Sequence, residues 1–213
     1  MDAGSVEIRV LGCLIEKQRT TPEQYPLTLN ALRLACNQST NRDPVVDYDD
    51  AAIRETLDRL GRRGWTRLAS GRGSRAPKHR HLLDEALGLS AAELAVLGVL
   101  MLRGPQTLGE LKQRTERMHS FAGLEEVEAT VERLIERSHA RRVGRRPGQK
   151  EERYEQLLGE EDAPEATPVG PPAAEQLPGP GGERALAERI ERLEEGLARL
   201  QETVAELSRR PGG

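Results

Sequence analysis

The sequence predicts an α+β fold that is mainly α-helical with small β-hairpins, built twice along the chain and followed by a separate C-terminal helix. Two stretches of similar sequence follow each other, and the offset between equivalent residues shrinks from 86 to 79 to 74 because the first copy has longer loops. A segment rich in Pro and Gly comes after the second stretch, and a heptad pattern of aliphatic residues comes last. Only 2% of the 213 residues are aromatic, so the core must be aliphatic, and a base-stacking platform for single-stranded nucleic acid is not expected.

The repeat rests on three short matches that occur in the same order in both copies. "EIRVLGCL" at residues 7–14 aligns with "ELAVLGVL" at residues 93–100, and "TLNAL" from Thr28 aligns with "TLGEL" from Thr107. The third match consists of apolar positions, which are Ile53, Leu57 and Leu60 in one copy and Val127, Val131 and Leu134 in the other. Ordered matches of this kind indicate two copies of one structural unit of about 75–80 residues.

Each copy has the pattern of three helices followed by a β-hairpin. The first helix is predicted by apolar residues at helical spacing, which in the first copy are Val6, Val10, Leu11, Leu14 and Ile15. The second helix begins at a threonine N-cap, Thr28 or Thr107, and Glu110 completes a capping box with Thr107. The third helix carries the third match. Two short strands follow, "WTRLA" and "HRHLL" in the first copy and "ARRV" and "RYEQLL" in the second.

Three helices and a hairpin with a basic tip are the order of elements in a winged helix, which is a variant of the helix-turn-helix. The sequence therefore predicts two tandem winged helix-turn-helix domains. We refer to them as the first repeat, residues 5–84, and the second repeat, residues 90–158.

The chain after the second repeat is predicted to form a linker and a coiled coil. Residues 159–183 are rich in Pro, Gly, Ala and acidic residues and lack the apolar residues of a core, which predicts disorder. In residues 184–209, aliphatic side chains recur at alternating spacings of four and three, at Leu186, Ile190, Leu193, Leu197, Leu200, Val204 and Leu207. β-Branched residues at two of the three a positions, with Leu at every d position, favour a parallel homodimer. The alternative is an amphipathic helix that docks on a domain of its own chain.

The charge of the chain is unevenly distributed. Residues 1–150 carry 25 basic and 20 acidic side chains, a net charge of +5, whereas residues 151–213 carry 7 and 15, a net charge of −8. Residues 62–81 and 133–150, around the two hairpins, contain seven basic side chains each. Arginine pairs bidentately with phosphate, so these hairpins are candidate DNA contacts; the alternative is a solvated charged loop. The residues predicted to bind duplex DNA are Arg72, Arg75, Lys78, Arg80, Arg145, Arg146 and Lys150.

The third helices favour a different kind of partner. They begin "DYDDAAIRET" and "GLEEVEAT". Acidic residues in a first turn are ordinarily explained by the helix dipole, but they also repel phosphate, and this helix usually enters the major groove. The acidic residues concerned are Asp49, Asp50, Glu125, Glu126 and Glu128. Either the hairpins supply most of the DNA contacts, or the domains bind another protein, as tandem winged helices do in adaptors of chromosome-condensing complexes.

The polar run "NQSTNRDPV" after the second helix of the first repeat has two interpretations. It is a helix exit in one, because Asn37 or Asn41 can adopt the left-handed conformation and Pro44 disfavours helix in the preceding residue. It is a partner-binding surface in the other, which we call the polar patch. The polar patch consists of Asn30, Gln38, Asn41 and Arg42. The second repeat has no equivalent stretch.

Catalysis, a cofactor, a metal and membrane insertion are not predicted. Cys13 and Cys36 lie in aliphatic helical patterns and are expected to be buried, reduced thiols. The four histidines fit no zinc spacing, and the sequence has no Ser/His/Asp grouping in a familiar context and no phosphate-binding glycine loop. It also lacks an N-terminal apolar segment and an 18-residue apolar run, so a cytoplasmic protein is expected.

The chain resembles the YceH family of bacterial proteins. The resemblance rests on "RVLGCLIEKQRTTPEQYPLTLNALRLACNQSTNRDPV", "SGRGSR" and "LSAAELAVLGVLMLRGPQTLGELKQRTERM", and it spans about residues 5–158. It implies a tandem winged-helix fold and no assigned activity. Together with the basic hairpins it leads to two hypotheses, a non-enzymatic regulatory protein that binds duplex DNA or a protein–protein adaptor.

Overall fold

The structure is a computed structural model that describes residues 4–69, 76–144 and 151–159. All of these residues fall within one compact unit, Met1–Ala163. The predicted C-terminal helix and all but the first residue of the predicted linker lie outside the described residues. The described residues form seven helices and five short antiparallel strands, so the predicted α+β class is confirmed.

The first repeat contains three long helices and a small sheet. Its elements are α1 (Ser5–Thr20), β1 (Leu27–Thr28), α2 (Leu29–Cys36), α3 (Asp50–Arg62), β2 (Thr66–Leu68) and β3 (Lys78–His81). β2 and β3 are the two predicted strands of the hairpin, and the sequence did not predict β1. The three strands form an antiparallel sheet in the order β1-β3-β2.

The second repeat has the same order of elements after a short connecting helix, α4 (Leu83–Leu87). Its elements are α5 (Ala91–Arg103), α6 (Leu108–Thr115), α7 (Leu124–Glu136), β4 (Ala140–Val143) and β5 (Arg153–Gln156). A single β-bridge between Gln106 and Tyr154 stands where β1 stands in the first repeat. Three helices and an antiparallel hairpin therefore occur twice, as the sequence repeat predicts.

Side-chain caps fix where several helices begin. The predicted capping box is confirmed, because Thr107 accepts from the backbone N–H of Glu110 and the Glu110 carboxylate accepts from the N–H of Thr107. Ser90 and Glu93 form a second capping box at α5. The Thr28 hydroxyl accepts from a backbone N–H of α2. Each cap satisfies backbone donors that have no partner within the helix.

The two repeats pack through their first helices, and among the described elements α1 and α5 make the most extensive contact. Nine consecutive residues of α1 and ten of α5 are buried, as in helices covered on all sides. A glycine permits the close approach in each helix. A Cβ added to Gly12 would lie 2.9 Å from Cγ of Leu102, and one added to Gly98 would lie 3.0 Å from Cγ2 of Ile15. The contact is reciprocal, because the two glycines are equivalent in the repeat.

A buried glutamate joins the first and third helices in both repeats. In the first repeat, Glu7 lies 2.8 Å from Nε of Arg59 and 3.1 Å from Nη1 of Arg63. The equivalent residues of the second repeat are Glu93, Arg133 and Arg137, with both nitrogen–oxygen distances at 3.7 Å. Burial alone would raise the pKa of Glu93, but hydrogen bonds from Ser90 and the charges of the two arginines lower it.

Candidate functional site

The hairpin of the first repeat places three cationic side chains on one face. Arg67 of β2 lies directly opposite Arg80 of β3, and Lys78 precedes Arg80 by two residues. Opposed residues of an antiparallel pair project to the same face, and so do residues two apart on one strand. Arg80 donates a hydrogen bond to Glu85, which is exposed and lies at the edge of this face. We call Arg67, Lys78 and Arg80 the hairpin cations.

The hairpin of the second repeat has a different charge arrangement at the equivalent position. Here Arg141 of β4 lies opposite Glu155 of β5 and forms an ion pair with it. The neighbouring Arg142 is paired with Glu132 of α7. Arg153 donates to Glu110 over 2.8 Å. The described arginines of this hairpin are therefore each paired with an acidic residue. In the first repeat Arg80 is paired with Glu85, but the residue opposite it is a second arginine, Arg67.

Two of the seven residues predicted to contact DNA lie among the described residues. Lys78 and Arg80 lie on β3, as described above. The other five predicted residues lie outside the described residues, and they are Arg72, Arg75, Arg145, Arg146 and Lys150.

The outward face of α7 is acidic. Glu125, Glu128 and Glu136 are exposed, and Leu124 at the start of the helix is 52% exposed. Only Arg133 provides a positive charge on this helix, and it lies near buried Glu93. An acidic face is repelled by phosphate and attracts a basic surface.

The start of α3 supports the helix-dipole interpretation of its acidic residues. Asp49 is the N-cap and accepts from the backbone N–H of Ala52 over 2.8 Å. Asp50 forms an ion pair with Arg33 of α2 at 2.8 Å. Both acidic side chains therefore have a structural partner within the first repeat.

The polar run after α2 is held by its own side chains. Arg42 is buried and donates to both carboxylate oxygens of Glu16, at 3.2 and 2.6 Å, and to Gln38 at 2.9 Å. Asn41 has the predicted left-handed conformation, with φ 61°. Asn37 is the C-cap but does not adopt the left-handed conformation, with φ −91°. Its side-chain amide donates to the carbonyl of Tyr48 and accepts from the N–H of the same residue.

The structure brings three members of the polar patch together and places the fourth elsewhere. Gln38, Asn41 and Arg42 lie within the loop, whereas Asn30 bonds to Arg33 on α2 and lines a separate apolar groove beside α3. This groove has a volume of about 420 Å³. Asn41 faces the second repeat, where Arg103 donates to its side-chain oxygen.

A cleft of about 400 Å³ lies where this loop meets the second repeat. We call it the inter-repeat cleft. Three arginines of the second repeat line it, Arg103, Arg114 and Arg117. A smaller cleft of about 280 Å³ shares Asn41, Arg103 and Arg114 with it. This cluster of guanidinium groups around a cavity was not predicted from the sequence.

The interior holds titratable groups that do not line the inter-repeat cleft. Cys13 and Cys36 are buried free thiols, as predicted. Their mutual hydrogen bond and burial raise the pKa of Cys36, which keeps this thiol protonated. Within the described ranges, no group of three or more His, Cys, Asp or Glu side chains is arranged to hold a metal ion. No helix in this part of the chain is both long and apolar enough to cross a membrane.

The match to a family model identifies the family. Residues 4–149 match the model described as "Protein of unknown function, DUF480". The chain belongs to the DUF480 family. It is 47% identical to a UPF0502 protein of Geotalea uraniireducens (strain Rf4) over 97% of this chain and 90% of the relative. It is 49% identical to a UPF0502 protein of Pelobacter propionicus over 98% and 94%, and 45% identical to one of Pseudomonas syringae pv. tomato over 97% and 92%.

These DUF480 relatives confirm the predicted resemblance to a bacterial family and widen its extent. The resemblance was placed on residues 5–158, whereas alignments that cover 97% of the chain continue into the acidic C-terminal part. The similarity therefore includes the segment after the second repeat.

The functional candidates that the sequence did not single out share one property. They are Arg67, Arg103, Arg114 and Arg117. Each becomes a candidate only through a neighbour that is distant in the chain, such as Arg80 for Arg67 or Asn41 for Arg103. The one available local signal was the predicted hairpin, whose register determines which residue faces Arg67.

Proposed function

We propose that this protein is a non-enzymatic, cytoplasmic, DNA-associated regulatory protein. In this proposal each repeat is a winged helix, and the first repeat supplies most contacts to the phosphates of duplex DNA. The C-terminal heptad segment joins two chains. The observation that carries the proposal is the pair of arginines facing each other across the hairpin of the first repeat.

Like charges that are directly opposed in a sheet destabilise it. The second repeat avoids this cost at the equivalent position, where Arg141 faces Glu155. In the first repeat Arg67 faces Arg80, and Lys78 adds a third positive charge to the face. A phosphate placed between the guanidinium groups offsets their repulsion and accepts bidentate hydrogen bonds. Among the described residues, the arrangement therefore favours phosphate contact by the hairpin of the first repeat.

The acidic face of α7 supports the assignment to the first repeat. In a helix-turn-helix the third helix lies in the major groove, close to phosphates on both sides. Exposed Glu125, Glu128 and Glu136 oppose that placement of α7. On α3 the exposed face is mixed, with Arg54 and Arg62 beside acidic residues. Contacts from the hairpin to the DNA phosphates give affinity for DNA with little preference for base sequence.

A salt titration of the full chain with duplex DNA tests the proposal. Affinity should fall steeply as salt rises, because neutralised phosphates release counterions. The double variant Arg67→Ala, Arg80→Ala should weaken binding at least tenfold across unrelated sequences and reduce the salt slope. Arg141→Ala is the matched control, since it removes the equivalent arginine of the second repeat, and it should leave affinity within about twofold.

The three-residue variant Arg72→Ala, Arg75→Ala, Lys78→Ala extends this test to the tip of the hairpin. It should also weaken binding to all sequences, because phosphate contacts carry no sequence information. Absence of binding to duplex DNA at low salt, or equal losses in the Arg141 control, would overturn the proposal.

A second candidate function is a protein–protein adaptor, and the acidic face of α7 is the observation that favours it. Glutamates around exposed Leu124 fit a partner surface that is basic with an apolar centre. The charge-reversing variant Glu125→Lys, Glu128→Lys should abolish capture of such a partner. A pull-down with and without nuclease separates the two functions, because an adaptor retains its partner after the nucleic acid is digested.

A further inference from the structure

The inter-repeat cleft contains an excess of positive charge. Arg103 ends α5, Arg114 lies in the last turn of α6, and Arg117 follows that helix. Glu16 is the single acidic residue on the wall, and both of its carboxylate oxygens accept hydrogen bonds from buried Arg42. Its charge is thus already balanced, and three guanidinium groups remain.

These arginines have few partners in the described part of the chain. Arg103 donates to Asn41, which is uncharged. Arg114 lies 3.5 Å from Glu110, but that carboxylate also accepts a bond of 2.8 Å from Arg153. Within the same ranges no hydrogen bond or ion pair is found for Arg117. Within these ranges no ion pair is found for Arg103 either, and Arg114 shares its one acidic partner, Glu110, with Arg153.

Helix dipoles explain part of this arrangement but not all of it. Basic residues at helix C-termini are favourable, and each helix end contributes about half a negative charge. The ends of α5 and α6 together supply about one negative charge against three positive ones. Desolvation, together with the charges of Arg114 and Arg42, lowers the pKa of Arg103, although the charges of Glu16 and Glu110 partly oppose this. Positive charge therefore remains in excess, and an anion would stabilise it.

The rest of the wall indicates what else the anion carries. The wall is mostly polar, with Thr20 and Gln113 beside the arginines, and its apolar part comes from Met118 and from Val99 and Leu102, which are each only 3% exposed. A volume of about 400 Å³ falls in the range of small-molecule sites. An inorganic ion would leave most of this space unfilled, so the ligand carries a larger body beside its anionic group.

We propose that the inter-repeat cleft binds an organic phosphate of about the size of a mononucleotide. Arg103, Arg114 and Arg117 hold the phosphate, and the body of the ligand lies against Val99, Leu102 and Met118. Glu16, Thr20 and Asn41 come from the first repeat and the other wall residues from the second. A ligand bound there contacts both repeats, so it stabilises the folded protein by mass action.

Adenosine 5′-monophosphate is a suitable probe, with adenosine and inorganic phosphate as its two halves. Calorimetry and thermal melting of the full chain should show one AMP site and a raised Tm. Adenosine should bind at least tenfold more weakly than AMP because it lacks the anion. Inorganic phosphate should also bind at least tenfold more weakly than AMP, because it lacks the apolar body. The proposal would be overturned if adenosine or inorganic phosphate bound as tightly as AMP. It would also be overturned if AMP did not bind at millimolar concentration.

Variants locate the site. Arg114→Ala, Arg117→Ala should lower AMP affinity at least tenfold. Arg117→Ala alone is informative if the double variant fails to fold, since it removes no described hydrogen bond, and it should still cost about threefold or more. Arg62→Ala is the control. Arg62 is another exposed arginine at a helix C-terminus and lines neither cleft, so the affinity of this variant for AMP should equal that of the wild type. Unchanged AMP binding in the cleft variants would place the site elsewhere.

Duplex DNA is the other source of phosphate esters, and the variants separate it from a small ligand. Cleft variants should keep their affinity for DNA, and the Arg67→Ala, Arg80→Ala variant should keep its affinity for AMP. If the cleft variants lose DNA binding and wild-type protein ignores AMP, the cleft holds backbone phosphate and the small-ligand proposal is wrong. If AMP binds while DNA does not, the cleft proposal stands and the DNA proposal fails.

Discussion

Gly12 and Gly98 show how single residues determine the contact between the repeats. Each lies where the first helix of the other repeat comes closest, so neither position has room for a side chain. Glycine in a helix costs about 1 kcal/mol relative to alanine. The close packing of α1 on α5 offsets this cost, because a close-packed interior gains dispersion contacts over a large area.

Replacing Gly12 with alanine should therefore destabilise the protein despite the gain in helix propensity. The new Cβ would lie 2.9 Å from Cγ of Leu102 and 3.1 Å from Cβ of Met101, and neither atom is the free end of a side chain. We expect the free energy of unfolding to fall by about 1–3 kcal/mol. Gly61→Ala is the control, because Gly61 is helical and has nothing within 4 Å. It should stabilise by about 0.5–1 kcal/mol in the same urea titration.

His81 is a buried histidine with an equivalent glutamine in the second repeat. Its Nδ1 accepts from the backbone N–H of Leu83 at 3.3 Å, and its Nε2 lies 2.7 Å from the side-chain oxygen of Gln18. Gln156 occupies the equivalent position and accepts from the N–H of Leu158 at 2.7 Å. Both side chains therefore fix the turn after the last strand of their repeat.

The pKa of His81 predicts a loss of stability in mild acid. Burial, with the charges of Arg19 and Arg80, lowers the pKa to about 4 although nearby Asp84 opposes this. The unfolded chain takes up this proton near pH 6.5, so stability is complete above that pH. It falls as the pH drops toward 4, by on the order of 3 kcal/mol in total.

His81→Gln should remove this part of the pH dependence. Urea denaturation of wild type and variant between pH 7.5 and pH 4.5 gives the difference in unfolding free energy at each pH. We expect the unfolding free energy of the variant to rise relative to that of the wild type as the pH falls. The carboxylates titrate in both proteins, so their contributions cancel in this difference. Parallel curves would mean that His81 is not buried as a neutral base.

At the scale of elements, the buried glutamate of each repeat connects its first helix to its third. Glu7 holds Arg59 at 2.8 Å. The same Arg59 also pairs with Glu55 at 2.7 Å, one turn away on α3, where the Glu55 side chain is 74% exposed. The two acidic residues share one partner and differ in burial, which allows their contributions to be compared directly.

Glu7→Gln should cost about 1–3 kcal/mol of unfolding free energy, because the buried amide cannot replace two charge-assisted contacts. Glu55→Gln should cost about 0.3–0.5 kcal/mol, because water screens an exposed pair. Chemical denaturation of both variants measures the difference. Equal effects would show that burial contributes nothing to the contact between Glu7 and α3.

At the scale of the whole molecule, the α1–α5 contact makes the two repeats dependent on each other. A fragment of residues 1–88 would expose the side of α1 that Met101 and Leu102 cover. We expect this fragment to lack a cooperative melting transition at temperatures where the full chain remains folded. Adding the fragment of residues 89–159 should restore helical signal in circular dichroism. Cooperative melting of the first fragment at the Tm of the full chain would contradict this expectation.

The predicted coiled coil of residues 184–209 lies outside the described residues and rests on its heptad pattern. Leu193→Lys, Leu200→Lys places charge at two central d positions, so the variant should sediment as a monomer or as a weaker dimer. Three heptads support only a weak dimer, so sedimentation is measured at tens of micromolar. Unchanged self-association after deletion of residues 160–213 would show that the chains associate elsewhere.

Most of the local structure of this protein was predictable from its sequence. Helical periodicity, the Thr107–Glu110 capping box and the apolar strands predicted the three helices and the hairpin of each repeat, but not the short connecting helix α4. These features depend on residues within a few positions of each other, so a short window of sequence contains their cause. The strand β1 was missed, because two residues are too few to show a strand pattern.

The repeat, the order of elements in each copy and the aliphatic core were predictable because they follow from local periodicity and composition. Which side chains meet in each copy depends instead on how the helices and strands pack. Each hairpin region has seven basic residues, yet the register sets Arg67 against Arg80 in one and Arg141 against Glu155 in the other. Likewise, Arg42 is buried on Glu16, and Arg103 meets Asn41 across the repeats. Such charge neighbours depend on distances between residues far apart in the chain, which are fixed only when the helices and strands pack.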